Sequence, residues 1–286
     1  MKKLRISSKL ILNSELKEGF SEYIKDGIIF MKNAGFDAVD FTFNMMESVK
    51  DDWTGYIEKA MSDADEAGIR FEVCHLPHSS KLAKNPDIVP EFNEKMHKAI
   101  DAAALLGVDF AVLHPNTTTL TMDIYDRKAQ YDSVLNHLAP FAEHAKKVGL
   151  NIVVENMRYV PSHIPSHRYC QEPDELCEIA DALGIGVCWD FGHANIGGLK
   201  QSEALSYVGK RLKILHVNDN NGVDDIHIPP FTGKTDWKDA MHGLALSGFD
   251  GLFNYELKTA SIPRALQGAF AKYMIESAHE LMSYIE

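Results

Sequence analysis

GLNIVVEN, Gly149 to Asn156, decides the fold. A long helical pattern from about Tyr125 to Val148 precedes it, and the glycine supplies the left-handed residue that stops a helix. A β-rich apolar run follows at once and ends on Glu155. The unit recurs. GIGVCWD (184–190) follows a helix near Pro173 to Leu183, GVDFAVLH (107–114) a helix near Val89 to Leu106, and GIRFEVCH (68–75) a helix near Trp53 to Ala67. GFDGLFNYE (248–256) follows a helix near Trp237 to Leu246, RLKILH (211–216) a short helix near Glu203 to Gly209, and GFDAVDFTF (35–43) a helix near Glu18 to Ala34. A last helix runs from about Arg264 to Tyr284. Helix, glycine and buried strand repeating at about 40-residue spacing is the β/α unit. Seven strands emerge this way, and the eighth belongs within Leu4 to Leu12. Eight units predict a closed parallel (β/α)8 TIM barrel. A doubly wound open sheet competes, but no G-x-G-x-x-G follows an early strand.

The chain has 286 residues, of which 45% are hydrophobic, enough for one large core. No low-complexity or Pro-rich linker divides it, so residues 1–286 read as one domain. Lys and Arg number 29 against 41 Asp and Glu, a net charge of −12, which disfavours a sequence-independent grip on nucleic acid. Cys74, Cys170, Cys177 and Cys188 form no C-x-x-C pair, and Cys74 and Cys188 sit in apolar strand runs. They read as reduced, buried thiols. In MKKLRISSKLIL, Arg5 and Lys9 interrupt any signal-peptide core, and no run approaches the ~20 apolar residues of a membrane span. A soluble cytoplasmic protein is the default.

Four strand runs end on a potential metal ligand: Glu155, Asp190, His216 and Glu256. A buried strand has no reason to end on a carboxylate unless something pairs with it. A loop cap or salt bridge would explain any one of these residues. Four on separate strand ends point instead to one shared divalent cation at the C-terminal mouth of a barrel. Three carboxylates and an imidazole suit Mn²⁺, Mg²⁺, Co²⁺ or Zn²⁺ rather than copper or an iron–sulfur cluster. Further candidates flank them. His75 and His114 end strand runs, His193 lies three residues past Asp190, and Asp225 and His227 lie beyond His216. These would bind additional metal ions or serve as partners of substrate hydroxyls. His78 reads as a satisfied structural histidine. His97, His137, His144 and His279 fall on helix patterns, so exposure is expected. The segment Met157 to Tyr169, with Arg158, His163, His167 and Arg168, reads as a lid, a substrate clamp or a solvated loop.

These residues resemble the xylose-isomerase-like barrel superfamily, from about the third strand to the C-terminus. ILHVNDNNGVDDIHIPPFTGKTDW (214–237) resembles its His-x-x-Asp, Asp-x-His, Pro, Gly and Asp-Trp stretch, VCWDFGHANIG its Asp-x-x-His strand end, and VVEN its glutamate strand end. The superfamily contains ketose 3-epimerases, hydroxypyruvate isomerase, inosose dehydratase and endonuclease IV. The resemblance implies metal ligation by Glu155, Asp190, His216 and Glu256, and a turn at Gly233. Phe231 departs from the glycine of many members. The resemblance also supplies a counterpart for every ligand of a three-metal endonuclease: His75, His114, Glu155, Asp190, His193, His216, Asp225, His227 and Glu256.

The expected function is a metal-dependent sugar or sugar-phosphate isomerase or epimerase. It would abstract a proton alpha to a carbonyl and pass through a metal-bound enediolate, with Glu155 and Glu256 as the acid–base pair. Arg158 would contact a terminal hydroxyl or phosphate of a small sugar or polyol substrate. Dehydration of an inosose-like ketone would share the first step. The alternative is an endonuclease IV-like multi-metal phosphodiesterase. NMMESVKDD (44–52), after the second strand, is net acidic and poor in arginine, which tells against a DNA-gripping loop. Barrel relatives are often homo-oligomers, though nothing in this chain specifies an interface.

Overall fold

The computed structural model of the protein describes residues 4–11, 20–43, 53–79, 82 and 85–285. The acidic segment 44–52 lies outside them. Strand β1 spans Arg5–Lys9, inside the stretch expected for the weakest strand, and is followed by α1 (Phe20–Ala34), β2 (Ala38–Thr42), α2 (Trp53–Ala67) and β3 (Arg70–His75). The chain continues with α3 (Val89–Leu106), β4 (Phe110–Leu113), β5 (Thr119–Thr121), α4 (Arg127–Val148), β6 (Ile152–Glu155), β7 (Ser166–Arg168) and α5 (Pro173–Leu183). Then come β8 (Gly186–Asp190), α6 (Phe191–Ile196), α7 (Gln201–Val208), β9 (Leu212–His216), α8 (Trp237–Ser247), β10 (Leu252–Tyr255) and α9 (Arg264–Ser283).

Eight strands form one parallel sheet in the order β10-β1-β2-β3-β4-β6-β8-β9. The remaining edges, β9 and β10, meet at a parallel bridge between Val217 and Tyr255. There Val217 N donates to Asn254 O at 2.8 Å and Glu256 N to Val217 O at 3.2 Å. The sheet is a nearly closed (β/α)8 TIM barrel with helices between its strands. Helices α3, α4, α5 and α8 each end on a left-handed glycine, Gly107, Gly149, Gly184 and Gly248, with φ of 73°, 77°, 65° and 72°. The repeated signal in the sequence is therefore a helix stop.

The barrel interior explains why strand ends carry the polar groups. Ala38, Val73, Val112, Val153, Cys188, Ile214 and Leu252 pack together inside the barrel. Side chains alternate along a strand, so the residue two further on shares the inward face. Two positions beyond Val73, Val112, Val153, Cys188 and Ile214 stand His75, His114, Glu155, Asp190 and His216. The apolar layer thus forms the floor beneath a polar layer at the C-terminal mouth. A separate cluster between sheet and helices, including Leu113, Val154, Trp189, Leu215 and Phe253, seals the outer side.

Two features were not expected from the sequence. β5 and β7, from the loops after β4 and β6, pair as an antiparallel ribbon, with Thr119 opposite Arg168 and Thr121 opposite Ser166. The one-and-a-half-turn helix α6 starts directly on Asp190, whose Oδ1 accepts from His193 N at 2.7 Å. The expected exposure of the helical histidines holds for His279 but not for His97, His137 and His144, which are half-buried. His144 Nε2 lies 2.6 Å from Asp101 Oδ1, and His137 Nε2 is 2.8 Å from Asn116 Nδ2. Adjacent helices α3 and α4 pack these rings between them.

Candidate metal centre

Glu155, Asp190, His216 and Glu256 converge: each offers one ligand atom, and these atoms lie within 4.8 Å of one another. His216 Nδ1 is 3.0 Å from Glu155 Oε1 and 3.3 Å from Glu256 Oε2. Two more groups adjoin this one, His75 with His78 and His114, and His193 with Asp225 and His227. Glu155 links the first group to the centre, with Oε2 2.9 Å from His114 Nε2 and 3.6 Å from His75 Nε2. Asp225 joins the second, 3.0 Å from His227 Nε2 and 3.7 Å from His193 Nε2. Every site residue read from the strand ends therefore reaches the same mouth. Glu256 and His114 each stand one residue beyond their strand rather than in it. His78 corrects the expectation of a satisfied structural histidine: it is exposed, and its ring stacks 4.3 Å from that of His114.

Backbone carbonyls orient the imidazoles. Nδ1 of His75 lies 2.8 Å from Leu76 O, Nδ1 of His193 2.7 Å from Asn156 O, and Nδ1 of His227 2.8 Å from Glu256 O. With Nδ1–H donating to a carbonyl, Nε2 is left to face the cluster, the arrangement that metal-binding histidines adopt. Side chains do the same for the carboxylates. Asp190 Oδ2 accepts from Asn218 Nδ2 at 2.7 Å, and Asp190 N donates to Asn156 Oδ1 at 2.6 Å. Asp190 also caps α6, which explains the Asp-x-x-His spacing: the capping bond goes to the third helical residue, and that residue is His193.

The donor set fits a divalent cation. Glu155 Oε2 and Asp225 Oδ1 are buried and have no hydrogen-bond partner among the described residues, although each has an imidazole nitrogen about 3 Å away. Such pairs are close without pointing at each other, as ligands sharing an ion are. The electrostatics agree for the two glutamates, whereas burial raises the carboxyl of Asp190. Burial opposes ionisation of Glu155, but His216 and His114 hold its carboxyl well below the usual range. Burial likewise opposes Glu256, which His216 and His227 bring down to about 2. Burial works against protonation of His193 and His227, yet Asp190 and Asp225 around His193, and Glu256 and Asp225 around His227, raise them to about 10 and about 9. Carboxylates that stay ionised here are in ligand form, and a cation would replace the imidazole protons that now balance them.

Sequence reasoning passed over the support beneath the site. Asp40 on β2 is buried and accepts from Asn254 Nδ2 at 2.8 Å, and its Oδ1 has no partner among the described residues. Ser7 donates to the other end of Asn254 at 2.8 Å. Asp40 stands two residues after inward-facing Ala38, so the period that exposed the other ligands could have found it. The expected turn at Gly233 has a different cause. A Cβ there would come within 2.3 Å of Asn220 O and Asp219 Oδ1, so glycine permits a close approach. Phe231 does occupy a left-handed position, φ 68°, which accounts for glycine being suited to it.

Barrel and cluster together define a (β/α)8 protein with a carboxylate–histidine centre at its C-terminal mouth. The chain belongs to the xylose isomerase-like TIM barrel family, whose pattern matches residues 28–277. Among curated relatives, a Methanocaldococcus jannaschii protein of unassigned activity is 28% identical over 204 residues, 66% of each chain. Fructoselysine 3-epimerase of Shigella flexneri is 23% identical over 173 residues, 56% of each chain. The chain thus spans between about half and two-thirds of the curated relatives it matches. Among solved structures, a D-tagatose 3-epimerase-like protein superposes with TM-score 0.72 at 20% identity, covering 97% of this chain and 98% of that one. D-allulose 3-epimerase of Methylomonas sp. gives TM-score 0.72 at 16% identity, covering 98% and 99%. At these identities the superpositions establish the fold. No helix among the described residues is long and apolar enough to cross a membrane.

Proposed function

We propose that the chain is a divalent-metal-dependent epimerase or isomerase of a sugar or sugar phosphate, working by proton abstraction beside a carbonyl. The observation that carries this reading is the convergence of two glutamates, Glu155 and Glu256, on Nδ1 of His216, at 3.0 and 3.3 Å. Glu155, Asp190, His216 and Glu256 would hold the ion. When bound, a divalent cation supplies Lewis-acid polarisation of a carbonyl, which acidifies the adjacent C–H. Glu256 has a 19% exposed side chain and is open to substrate, whereas Glu155 is 1% exposed and sits deeper. One carboxylate would take the proton from the substrate's C–H, leaving a planar enediolate, and a proton drawn from solvent would return through the other glutamate to the opposite face or the neighbouring carbon. Both carboxylates are ionised, which leaves an oxygen lone pair on each for a proton, and the histidine contacts keep them oriented. His193, fixed through Nδ1 by Asn156 O, presents Nε2 to substrate oxygens. Loss of a hydroxyl from the same enediolate would give an inosose-type dehydration. The epimerase names among the relatives and neighbours support this class.

A second reading draws on the two flanking groups. With ions also at His75 and His114, which adjoin Glu155, and at His193, Asp225 and His227, the mouth would suit phosphodiester hydrolysis. The net charge of −12 speaks against a grip on DNA. The test is incubation of Mn²⁺-loaded protein with a panel of ketoses and ketose phosphates in deuterated water. Deuterium should enter at the carbon beside the carbonyl. Absence of exchange with every sugar, together with cleavage of an abasic-site duplex, would replace the first reading by the second.

A further inference from the structure

Two arginines at the barrel mouth are not accounted for by the ligand cluster. Arg158 follows β6, and its Nε is 3.6 Å from Asp225 Oδ2. Arg168 ends β7, and its guanidinium is within electrostatic reach of both Arg158 and Asp225. Its Nε is buried with no hydrogen-bond partner among the described residues. Burial, and then the neighbouring Arg158, press against the charged form of Arg168, and Asp225 supports it. An arginine stays charged even so. Asp225 must also serve His193 and His227. Among the described residues, Asp225 is the carboxylate that faces both guanidinium groups, so two permanent charges share one counter-charge.

The backbone that carries Arg168 is built to hold still. Arg168 N donates to Gln171 Oε1 at 3.0 Å, and Gln171 Nε2 is 2.9 Å from His167 Nδ1. Buried Glu175 takes His167 Nε2 at 2.7 Å, Tyr125 OH at 2.8 Å and Cys170 N at 2.9 Å. Cys170 adopts a left-handed φ of 65° to make that last bond possible. The β5–β7 ribbon ties the same segment to the loop after β4. A loop fixed by this many polar contacts, one of them fully buried, positions a side chain rather than letting it drift.

We propose that Arg158 and Arg168 together clamp an anionic group, phosphate or carboxylate, on the end of the substrate remote from the reacting carbons. Guanidinium forks pair two N–H groups with two oxygens of such an anion and would supply the counter-charge that Asp225 alone does not. The substrate would then be a ketose phosphate or a sugar acid rather than a neutral sugar. This identity rests on the epimerase or isomerase reading; the anion site does not.

The test has two arms. In the first, the protein is titrated with inorganic phosphate by calorimetry; Arg168→Gln and Arg158→Gln should each weaken binding about tenfold or more. In the second, solvent deuterium exchange is compared for a ketose, its 6-phosphate and the corresponding ketouronate. One anionic substrate should exceed the neutral ketose by about 100-fold in kcat/KM, and Arg168→Gln should cut that preference about tenfold, mainly through KM, with Arg168→Lys recovering part. A preference for the phosphate or for the ketouronate identifies the anion. Phosphate affinity that is unchanged in both variants would overturn the clamp. If no sugar exchanges but phosphate binding still depends on both arginines, the clamp stands and the epimerase reading falls.

Discussion

Asp219 organises the loop that delivers Asp225 and His227, and its replacement by asparagine gives a calculable loss. The carboxylate is fully buried. Oδ1 accepts from Asn220 N at 2.8 Å, Thr235 N at 3.0 Å and Thr235 Oγ1 at 2.7 Å. Oδ2 accepts from Gly233 N and from Trp237 Nε1, both at 3.1 Å. Asparagine keeps the shape and one oxygen. Its NH₂ must then face either Gly233 N–H and Trp237 Nε1–H or, flipped, the amides of Asn220 and Thr235. The first orientation leaves two donors without their acceptor. The second leaves two amides so, while the Thr235 hydroxyl can turn to accept from the new NH₂. Each orientation therefore costs about 1–3 kcal/mol per donor. The charge-assisted character of the remaining bonds is also lost. We expect Asp219→Asn to cost about 3–5 kcal/mol, a large share of a total of about 5–15 kcal/mol. Thermal melting followed by tryptophan fluorescence should show a fall of about 8–15 °C. A fall below about 3 °C, with an unchanged urea midpoint, would refute the view that this carboxylate holds the loop.

Glu256→Gln should fold and melt like the parent but lose C–H exchange by about 10²- to 10⁴-fold, and activity within tenfold of the parent would remove Glu256 as a base. Dialysis against a chelator should abolish exchange, with Mn²⁺ restoring it. Mn²⁺ at about 100 times its Kd should stabilise the fold by about 2.7 kcal/mol, so an unchanged Tm would contradict metal binding to the native state. Phe231→Gly should leave stability within about 1 kcal/mol in urea unfolding, because relief of the left-handed strain offsets the added chain entropy and lost packing. A loss above about 2 kcal/mol would show that the 42% exposed ring, 6.4 Å from Trp237 and 6.5 Å from Tyr284, is held by packing instead.

The barrel was legible because its signals are local. Gly149 ends α4 and Ile152 begins β6 within the same short stretch, and each such unit repeats the message. The ligands were legible because alternation along a strand puts Glu155 on the face of Val153 and His216 on the face of Ile214. What stayed hidden depends on partners distant in sequence. β5 and β7 are three residues each and pair across two loops, a pattern no window along the chain reveals. Helix α6 is too short for periodicity and exists because Asp190 caps it. Asn156 and Asn218 read as ordinary loop residues until both are seen gripping Asp190. His97 and His144 fit an exposed helical pattern, but their rings meet at 4.7 Å between α3 and α4.

The most direct measurement is anomalous diffraction from crystals soaked in Mn²⁺. A peak within bonding distance of Glu155, Asp190, His216 and Glu256 is the expected result. A map with no peak there, or with Mn²⁺ bound where Asp190 and Glu256 cannot both reach it, would contradict a shared cation as the basis of the chemistry.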